Sequence, residues 1–176
     1  NALITIVLYT IKEQYVSEKA FYANQLGISQ QSWDRWKKGE HGLKPENMQI
    51  IAELFTDYEW MLVQKVCRNA EILPEVAENP VREYQFLKYQ VAKKWIATDL
   101  ADFKWYTTDE TVHDSEVHKP AITTLRLECN YDFWSYKDII DLRLPSIIRH
   151  QIDSEKINLL EWFNENTPDT ITKITE

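Results

Sequence analysis

Cysteine, glycine and proline are scarce in this sequence, and it contains no long uninterrupted run of apolar residues. Two cysteines, Cys67 and Cys129, are too few for a disulfide framework, and neither belongs to a C-x-x-C pair of the kind that binds metals. Three glycines and six prolines in 176 residues exclude collagen-like and low-complexity chains. No apolar stretch approaches the roughly 20 residues of a membrane-spanning helix, which predicts a soluble protein without a membrane partner.

The overall composition is that of a folded protein. Hydrophobic residues make up 44% and charged residues 27% of the chain, and these values exclude wholesale disorder. Residues 2–9 lack the basic start and the small-residue cleavage site of a secretory signal. Together with the scarcity of cysteine, this predicts a cytoplasmic protein in a reducing compartment.

Negative charge is concentrated in the second part of the chain. The net charge is −8 with His neutral. Residues 1–66 contain 7 Lys and Arg against 8 Asp and Glu, whereas residues 67–176 contain 13 against 20. Within the first part, residues 29–44 form a small basic spot. The acidity therefore belongs to the second part, and the basic spot to the first.

Five short helices are predicted in the first part, because residues that start or stop helices recur at close intervals. Ser17 and Ser29 can cap helices at their first turns. Gly27 and Gly39 can end them in the left-handed conformation. The helices are predicted at about residues 4–15, 19–26, 30–38, 45–55 and 57–67, the fourth opened by Pro45 and the fifth by a capping box, Thr56-Asp57-Tyr58-Glu59.

The second and third helices form a predicted helix-turn-helix. Only Gly27-Ile28-Ser29 separates them, and two short helices joined by a glycine-containing three-residue turn are typical of that motif. Ile28, Trp33 and Trp36 are spaced to fill the seam behind the third helix. The polar residues of that helix are left pointing outward or along its edge: Gln30, Gln31, Ser32, Arg35, Lys37 and Lys38.

These features resemble the Xre/Cro/cI family of lambda-repressor-like helix-turn-helix regulators. The similarity covers roughly residues 3–66, a little over a third of the chain. The segments that carry it are residues 23–40, Lys44-Pro45, residues 50–55 and Tyr58-Glu59-Trp60-Met61-Leu62. Trp33 departs from the family, which usually has a β-branched aliphatic residue there, so the seam is expected to be wider or the third helix slightly displaced. The resemblance implies a five-helix DNA-binding domain over residues 1–68.

The resemblance also implies a DNA-binding surface on the third helix. A glutamine amide can bond adenine N6 and N7 together, and a guanidinium can bond guanine O6 and N7 together; Gln30, Gln31 and Arg35 take these base-contacting positions in the major groove. Phosphate contacts are expected from basic and hydroxyl side chains nearby. These are Lys19, Ser32, Lys37, Lys38 and Lys44. Because the cations are few, we expect a modest dependence of affinity on salt.

Residues 81–176 are predicted as a small α+β domain, joined to the first domain by a linker at 69–80. The chain is therefore mainly α, with a small α+β part at its C-terminal end. A helix is expected at about Val81 to Leu100. Its apolar residues fall on one face: Tyr84, Leu87, Val91 and Trp95. Its lysines are expected outside: Lys88, Lys93 and Lys94.

Alternation of apolar and polar residues predicts strands further along. Residues 122–129 place Leu125, Leu127 and Cys129 on one side, and residues 140–144 place Ile140, Leu142 and Leu144 on one side, ending at Pro145. An all-helical alternative for residues 130–150 stays open. Asp153-Ser154 is expected to cap a helix with Ile157, Leu160 and Phe163 inward. Residues 107–119 are expected to be a loop, and residues 170–175 a last strand.

Catalytic and metal sites are not expected in the second part. His113 and His118 are five residues apart in a polar segment, a spacing that favours a solvated loop over a metal site. Cys129 and His150 are isolated, and no glycine-rich phosphate loop exists. We therefore expect neither an enzyme nor a cofactor. Aromatic residues cluster around the predicted sheet, where core packing is favoured and a pocket or dimer interface is the alternative: Phe103, Trp105, Tyr106, Tyr131, Phe133, Trp134 and Tyr136.

The sequence thus favours a cytoplasmic, sequence-specific transcriptional regulator that binds double-stranded DNA. Helix-turn-helix monomers make few contacts, and dimers on two half-sites are the common solution. We therefore expect a homodimer, with residues 81–176 serving dimerisation or the sensing of a small-molecule or protein effector. The alternative is a protein-interaction module, antitoxin-like or adaptor, that retains the helix-turn-helix without reading bases.

Overall fold

The computed structural model describes residues 1–107, 122–132, 134–152 and 155–166. They are mainly helical, with one three-stranded antiparallel sheet in the C-terminal part, and this confirms the coarse fold class. No helix within these ranges combines the length and the apolar character needed to cross a bilayer. The chain divides into two compact units, Asn1–Tyr84 and Gln85–Glu176, which are described separately.

The first unit contains all five predicted helices in the predicted order. Its helices are α1 (Ala2–Gln14), α2 (Glu18–Phe21), α3 (Gln30–Lys37), α4 (Pro45–Ala52), α5 (Asp57–Ala70), α6 (Pro74–Glu78) and the start of α7 (Pro80–Ile96). Residues 69–80, expected as a linker, contain the end of α5 and all of α6, in which Val76 is buried. The division between the units falls later, within α7.

Local hydrogen bonds start and stop these helices as the sequence pattern predicts. Ser17 Oγ accepts from the Ala20 N–H at 3.1 Å, and Ser29 Oγ accepts from the Ser32 N–H at 3.2 Å. The capping box is complete, because Thr56 Oγ1 accepts from the Glu59 N–H at 3.1 Å and Glu59 Oε1 accepts from the Thr56 N–H at 2.9 Å. These bonds satisfy N–H groups that a helix start otherwise leaves without partners.

The second predicted helix is irregular in its second half. After α2 the chain continues as a π-helical turn, Tyr22–Leu26, and the Gly27 N–H closes it on the Tyr22 carbonyl. Gly27 then adopts the expected left-handed conformation, with φ of 61°, which costs a glycine little because it has no Cβ. The extent of the helix was predicted correctly, but its widened last turn was not.

The second unit is built on a sheet whose strand order is β1-β2-β3. Its elements are the rest of α7, β1 (Ala101–Thr107), β2 (Ile122–Tyr131), β3 (Tyr136–Pro145), α8 (Ser146–Gln151) and α9 (Lys156–Glu165). β1 was not anticipated. The all-helical alternative for residues 130–150 is wrong, because β3 occupies most of that segment before α8 begins.

One face of the sheet is the core of the second unit. The predicted inward residues of β2 and β3 are all buried, which confirms the alternation: Leu125, Leu127, Cys129, Ile140, Leu142 and Leu144. Asp141, expected on the outer side, is also buried, with 6% of its surface exposed. It is stabilised there because Arg126, its cross-strand neighbour, donates to both carboxylate oxygens, at 2.8 and 2.9 Å.

The orientation of α7 differs from the prediction by about one residue. Lys88, expected outside, is only 3% exposed, and its Nζ donates to the Asp141 carbonyl oxygen at 2.7 Å. The buried residues of the helix beyond Tyr84 are Gln85, Lys88, Tyr89, Ala92 and Ile96. One residue turns a helix by about 100°, so a small error in phase moves a side chain from the outer to the inner face. The aliphatic stem of a lysine can pack against apolar surface, so Lys88 is compatible with either face.

The last helix shows the same kind of error. Of the three residues expected inward, Phe163 is buried, Leu160 is half-buried and Ile157 is 67% exposed. Leu159 and Trp162 are buried instead. α9 begins after Glu155 as N-cap, and the predicted cap at Asp153-Ser154 lies outside the described residues. So do the predicted loop with His113 and His118, apart from Thr107 at the end of β1, and the predicted strand at residues 170–175.

Candidate nucleic-acid interface

The orientation of α3 is set by two buried tryptophans. Trp33 and Trp36 are 1% and 6% exposed, and their rings stack with centroids 4.8 Å apart. The Trp33 ring also stacks on Tyr22, in the π-helical turn, at 5.7 Å. The expected seam filling behind the third helix is therefore confirmed for both tryptophans, and the large Trp33 ring lies against the widened turn of the preceding helix.

Because Trp33 and Trp36 face inward, the opposite side of α3 faces solvent. Gln31 and Arg35 are one helical turn apart and therefore share this outward face, and both are exposed. Lys38, which ends the helix as its C-cap, continues the same face and is exposed. Gln30 is also exposed, but it lies about a quarter turn away on the flank. The structure thus groups Gln31, Arg35 and Lys38 and sets Gln30 beside them.

A carboxylate in α2 ties the two helices of the motif together. Glu18 Oε2 accepts a hydrogen bond from Trp33 Nε1 at 2.7 Å and another from Lys37 Nζ at 2.9 Å. Both donors lie on α3, one helical turn apart, so a single carboxylate oxygen connects the start of α2 to two turns of α3. The sequence pattern does not reveal this role of Glu18, because its partners are 15 and 19 residues away.

This contact changes the acidity of both ion-pair partners. Burial alone would raise the pKa of Glu18, but the hydrogen bonds from Trp33 and Lys37 and the positive charge of Lys37 outweigh it, and the pKa falls below its ordinary value of 4.5. The hydrogen bond to Glu18 raises the pKa of Lys37. Both groups therefore stay charged at neutral pH.

Lys37 is the predicted phosphate ligand that is most strongly engaged within the protein. Its Nζ lies 2.9 Å from Glu18 and 3.4 Å from Asp34 Oδ1, and its side chain is 29% exposed. In this arrangement its charge is already compensated by two carboxylates. A phosphate contact from Lys37 stays a prediction, and it would require the pair with Glu18 to open.

The other predicted contacts reach solvent. Arg35 Nε lies 4.0 Å from Glu40 Oε2, and both side chains are about half exposed; exposed pairs of this kind are weak. Lys19 and Lys44 are exposed. Ser32, also exposed, receives a hydrogen bond from the Ser29 hydroxyl at 3.1 Å and lies on the flank of α3 opposite Gln30.

Asp34 is a member of the outward face that sequence reasoning did not assign. It lies between Gln31 and Lys38 along the helix axis and about 60° around the helix from Gln31, towards Gln30, with 42% of its side chain exposed. An aspartate can accept a hydrogen bond from cytosine N4 in the major groove. Asp34 is three residues after Gln31 and four before Lys38, and this helical spacing could have identified it as a neighbour of both.

The described part of the second unit shows neither the metal site nor the catalytic pair that the sequence argued against. Among the described residues, no three His, Cys, Asp or Glu side chains come together in a way that could hold a metal ion. Cys129 is buried and His150 is exposed. None of the six described residues of the aromatic cluster is fully buried, so core packing is not confirmed for them. Tyr106, Trp134 and Tyr136 are 45%, 73% and 51% exposed, because they occupy the polar face of the sheet or the turn between β2 and β3; Phe103, Trp105 and Tyr131 are half-buried, and Phe133 lies outside the described residues.

No protein-family model, no curated protein and no solved structure matches the chain. Membership of the Xre/Cro/cI family therefore stays a prediction from the residue pattern. The same holds for the base and phosphate contacts.

Proposed function

We propose that the protein is a sequence-specific transcriptional regulator that inserts α3 into the major groove of double-stranded DNA. The observation that carries this proposal is the division of α3 into two sides. Trp33 and Trp36 anchor one side in the core, and Gln31, Arg35 and Lys38 occupy the other. The major groove is wide enough to admit an α-helix, and the amide and guanidinium groups are those that discriminate base pairs there.

Within this proposal, Gln31 and Arg35 read base edges, and Lys38, Lys19 and Lys44 neutralise phosphates. Phosphate contacts fix the register of a protein on the duplex, whereas groove contacts carry sequence information. The five-helix lambda-repressor-like arrangement, binding as a homodimer and a cytoplasmic location belong to the same proposal. The predicted effector role of residues 81–176 does too.

Selection of sites from a random library of duplexes tests the proposal, with fluorescence anisotropy on the selected and scrambled sequences. We expect Arg35→Ala to lower the ratio of specific to non-specific affinity by about tenfold or more, since a bidentate base contact contributes roughly 1–3 kcal/mol of discrimination. Gln31→Ala should lower the ratio more than Gln30→Ala, because Gln30 lies on the flank. Lys38→Ala should weaken both duplexes alike and reduce the salt slope by about 1.

Lys65→Ala is the matched control, because Lys65 is an exposed cation on α5 outside the proposed interface. It should change neither the ratio nor the salt slope. Binding that never exceeds that of bulk DNA would reject base reading.

The ion pairs of α3 favour a second candidate, a protein-interaction module of antitoxin-like or adaptor type. Lys37 is compensated by Glu18 and Asp34, and the chain as a whole carries a net charge of −8. A surface with neutralised cations has less attraction for a polyanion. Failure to enrich any DNA sequence would favour this module over the regulator.

A further inference from the structure

β1 is an edge strand of the described sheet, and a cleft of about 630 Å³ lies along it. The cleft is lined by residues 101–106, together with Asp99, Arg149 and Lys156. Residues from both faces of β1 take part, so the open space lies alongside the strand as well as above it. An edge strand presents a row of backbone N–H and C=O groups to such a space, and these groups can pair with another strand.

The pairing with β2 shows which backbone groups of β1 point into this space. The Leu100 carbonyl accepts from the Asn130 N–H at 3.1 Å, in the same register that places Ala101 opposite Cys129. In an antiparallel pair, hydrogen-bonded and non-hydrogen-bonded positions alternate. The even-numbered residues of β1 therefore bond to β2, and Ala101, Phe103 and Trp105 direct their N–H and C=O groups towards the outer edge.

We propose that β1 is the homodimer interface, where two copies of this chain pair antiparallel about a two-fold axis at Phe103. In this register Phe103 of each copy faces Phe103 of the other, and Ala101 faces Trp105, so the outward backbone groups bond to each other. Asp102 of each copy then lies opposite Lys104 of the other. Closed two-fold dimers bury the same patch on both subunits, and this pairing joins the two sheets into one.

The charges of the strand select this register and this partner. Asp102 and Lys104 are both exposed, and Asp102 receives only a long hydrogen bond, 3.4 Å, from Asn130 Nδ2 among its described side-chain contacts. In the proposed dimer, Asp102 of one copy and Lys104 of the other form a non-hydrogen-bonded pair, the position at which opposite side chains are closest. An axis at Lys104 would instead place the two lysines opposite each other. Exposed charges usually keep an edge from pairing, but these are self-complementary, which favours a second copy over an unrelated strand.

Sedimentation of the full chain and of two charge-reversal variants tests this pairing. Asp102→Lys and Lys104→Asp each place like charges opposite one another at two positions, and each should weaken the dimer about tenfold. The two variants change the net charge in opposite directions, so a general charge effect would move them apart. An equimolar mixture of the two should recover the dimer as a heterodimer, and the double variant Asp102→Lys/Lys104→Asp should recover it alone.

Phe103→Pro tests the backbone part of the inference. It removes an N–H that points away from β2, and proline is tolerated on an edge strand at such positions, so the fold should persist while the dimer is lost. Circular dichroism checks the fold of each variant. Lys93→Asp is the matched control for Lys104→Asp, because Lys93 is an exposed lysine of α7, and it should leave the dimer unchanged.

Three results would overturn the pairing. They are a full chain that stays monomeric, variants that dimerise as well as the parent, and a mixture of the two reversals that does not recover the dimer. None of these measurements involves DNA, so failure of the pairing is distinguishable from failure of base reading; a monomeric chain would also contradict the homodimer of the proposed function.

Discussion

The two units stabilise their buried acidic groups in different ways. In the first unit, Glu59 is 2% exposed, and its capping-box partner is Thr56, three residues away. In the second unit, Asp141 is 6% exposed; Arg126, 15 residues away, donates to its carboxylate, and Lys88, 53 residues away, donates to its backbone carbonyl. A local partner forms with the helix itself, whereas a distant one exists only after the sheet and α7 have packed together. The second unit therefore depends more on its tertiary structure.

The two units also differ in how deeply the aromatic residues discussed above are buried. In the first unit, Trp33 and Trp36 are buried and stacked. In the second, Tyr106 and Trp134 are 45% and 73% exposed, and the Arg126 guanidinium lies 5.3 Å from the centroid of the Tyr106 ring. The aromatic residues of the helical unit form its core, whereas several of those around the sheet are available for contacts.

The largest effect is expected from emptying the aromatic core of the first unit. Trp33→Ala should lower the free energy of unfolding by about 4 kcal/mol, because truncation of a buried tryptophan removes apolar contacts and leaves a cavity. Chemical denaturation measures the loss. Trp134→Ala in the second unit is the control, and it should change stability by less than about 0.5 kcal/mol, as for other exposed positions. Equal losses in both variants would contradict the contrast between the units.

A smaller but still large effect is expected at the distant ion pair of the second unit. Arg126→Ala leaves the buried Asp141 carboxylate without its bidentate partner, and should lower stability by about 2 kcal/mol, less than for a fully buried pair because 36% of the Arg126 side chain is exposed to solvent. Lys137→Ala is the matched control, since Lys137 lies 3.6 Å from Glu128 but is 57% exposed, and exposed pairs contribute little. A double variant, Arg126→Met/Asp141→Leu, should recover much of the loss. If the double variant were no more stable than Arg126→Ala, the unpaired Asp141 carboxylate would not be the cause of the lost stability.

The smallest effect is a pH dependence in the first unit. The pKa of Glu18 is lower in the folded protein than its ordinary 4.5, so the unfolded chain binds the proton more readily. The stabilisation by Glu18 is therefore fully present above about pH 4.5 and is lost as the pH falls through the folded pKa. The difference in unfolding free energy between the parent chain and Glu18→Gln should shrink over that range. A difference that is constant with pH would reject the linkage.

The starts of α2 to α5 and the end of α3 could be predicted because their determinants lie within a few residues, whereas α6 was not predicted. Ser29 reaches an N–H three residues on, and Gly39 bonds the Trp36 carbonyl to end α3. The candidate site followed from these limits, since the positions of Trp33 and Trp36 decide which side of α3 is outward. The engagement of Lys37 by Glu18 could not be predicted, because a turn of unknown angle separates the two helices.

The second unit shows where pattern alone is insufficient. The alternation in β2 and β3 was read correctly, but β1 was missed because Trp105-Tyr106 interrupts its alternation after only a few residues. The faces of α7 and α9 were each placed about one residue away from the buried side. An amphipathic helix carries apolar residues near both edges of its stripe, and the surface that it packs against decides between them.

Amino-acid order alone was enough to specify the starts of α2 to α5, two of the three described strands and the polar side of α3, because these depend on contacts between residues a few positions apart. Packing decided the rest: the π-helical turn beside Trp33, the clamp from Glu18 to α3, the burial of Lys88 and Asp141, and the outer position of β1 in the sheet. Each of these joins residues that are distant in the chain, and their energies arise only when separate elements meet and exclude water from the groups between them.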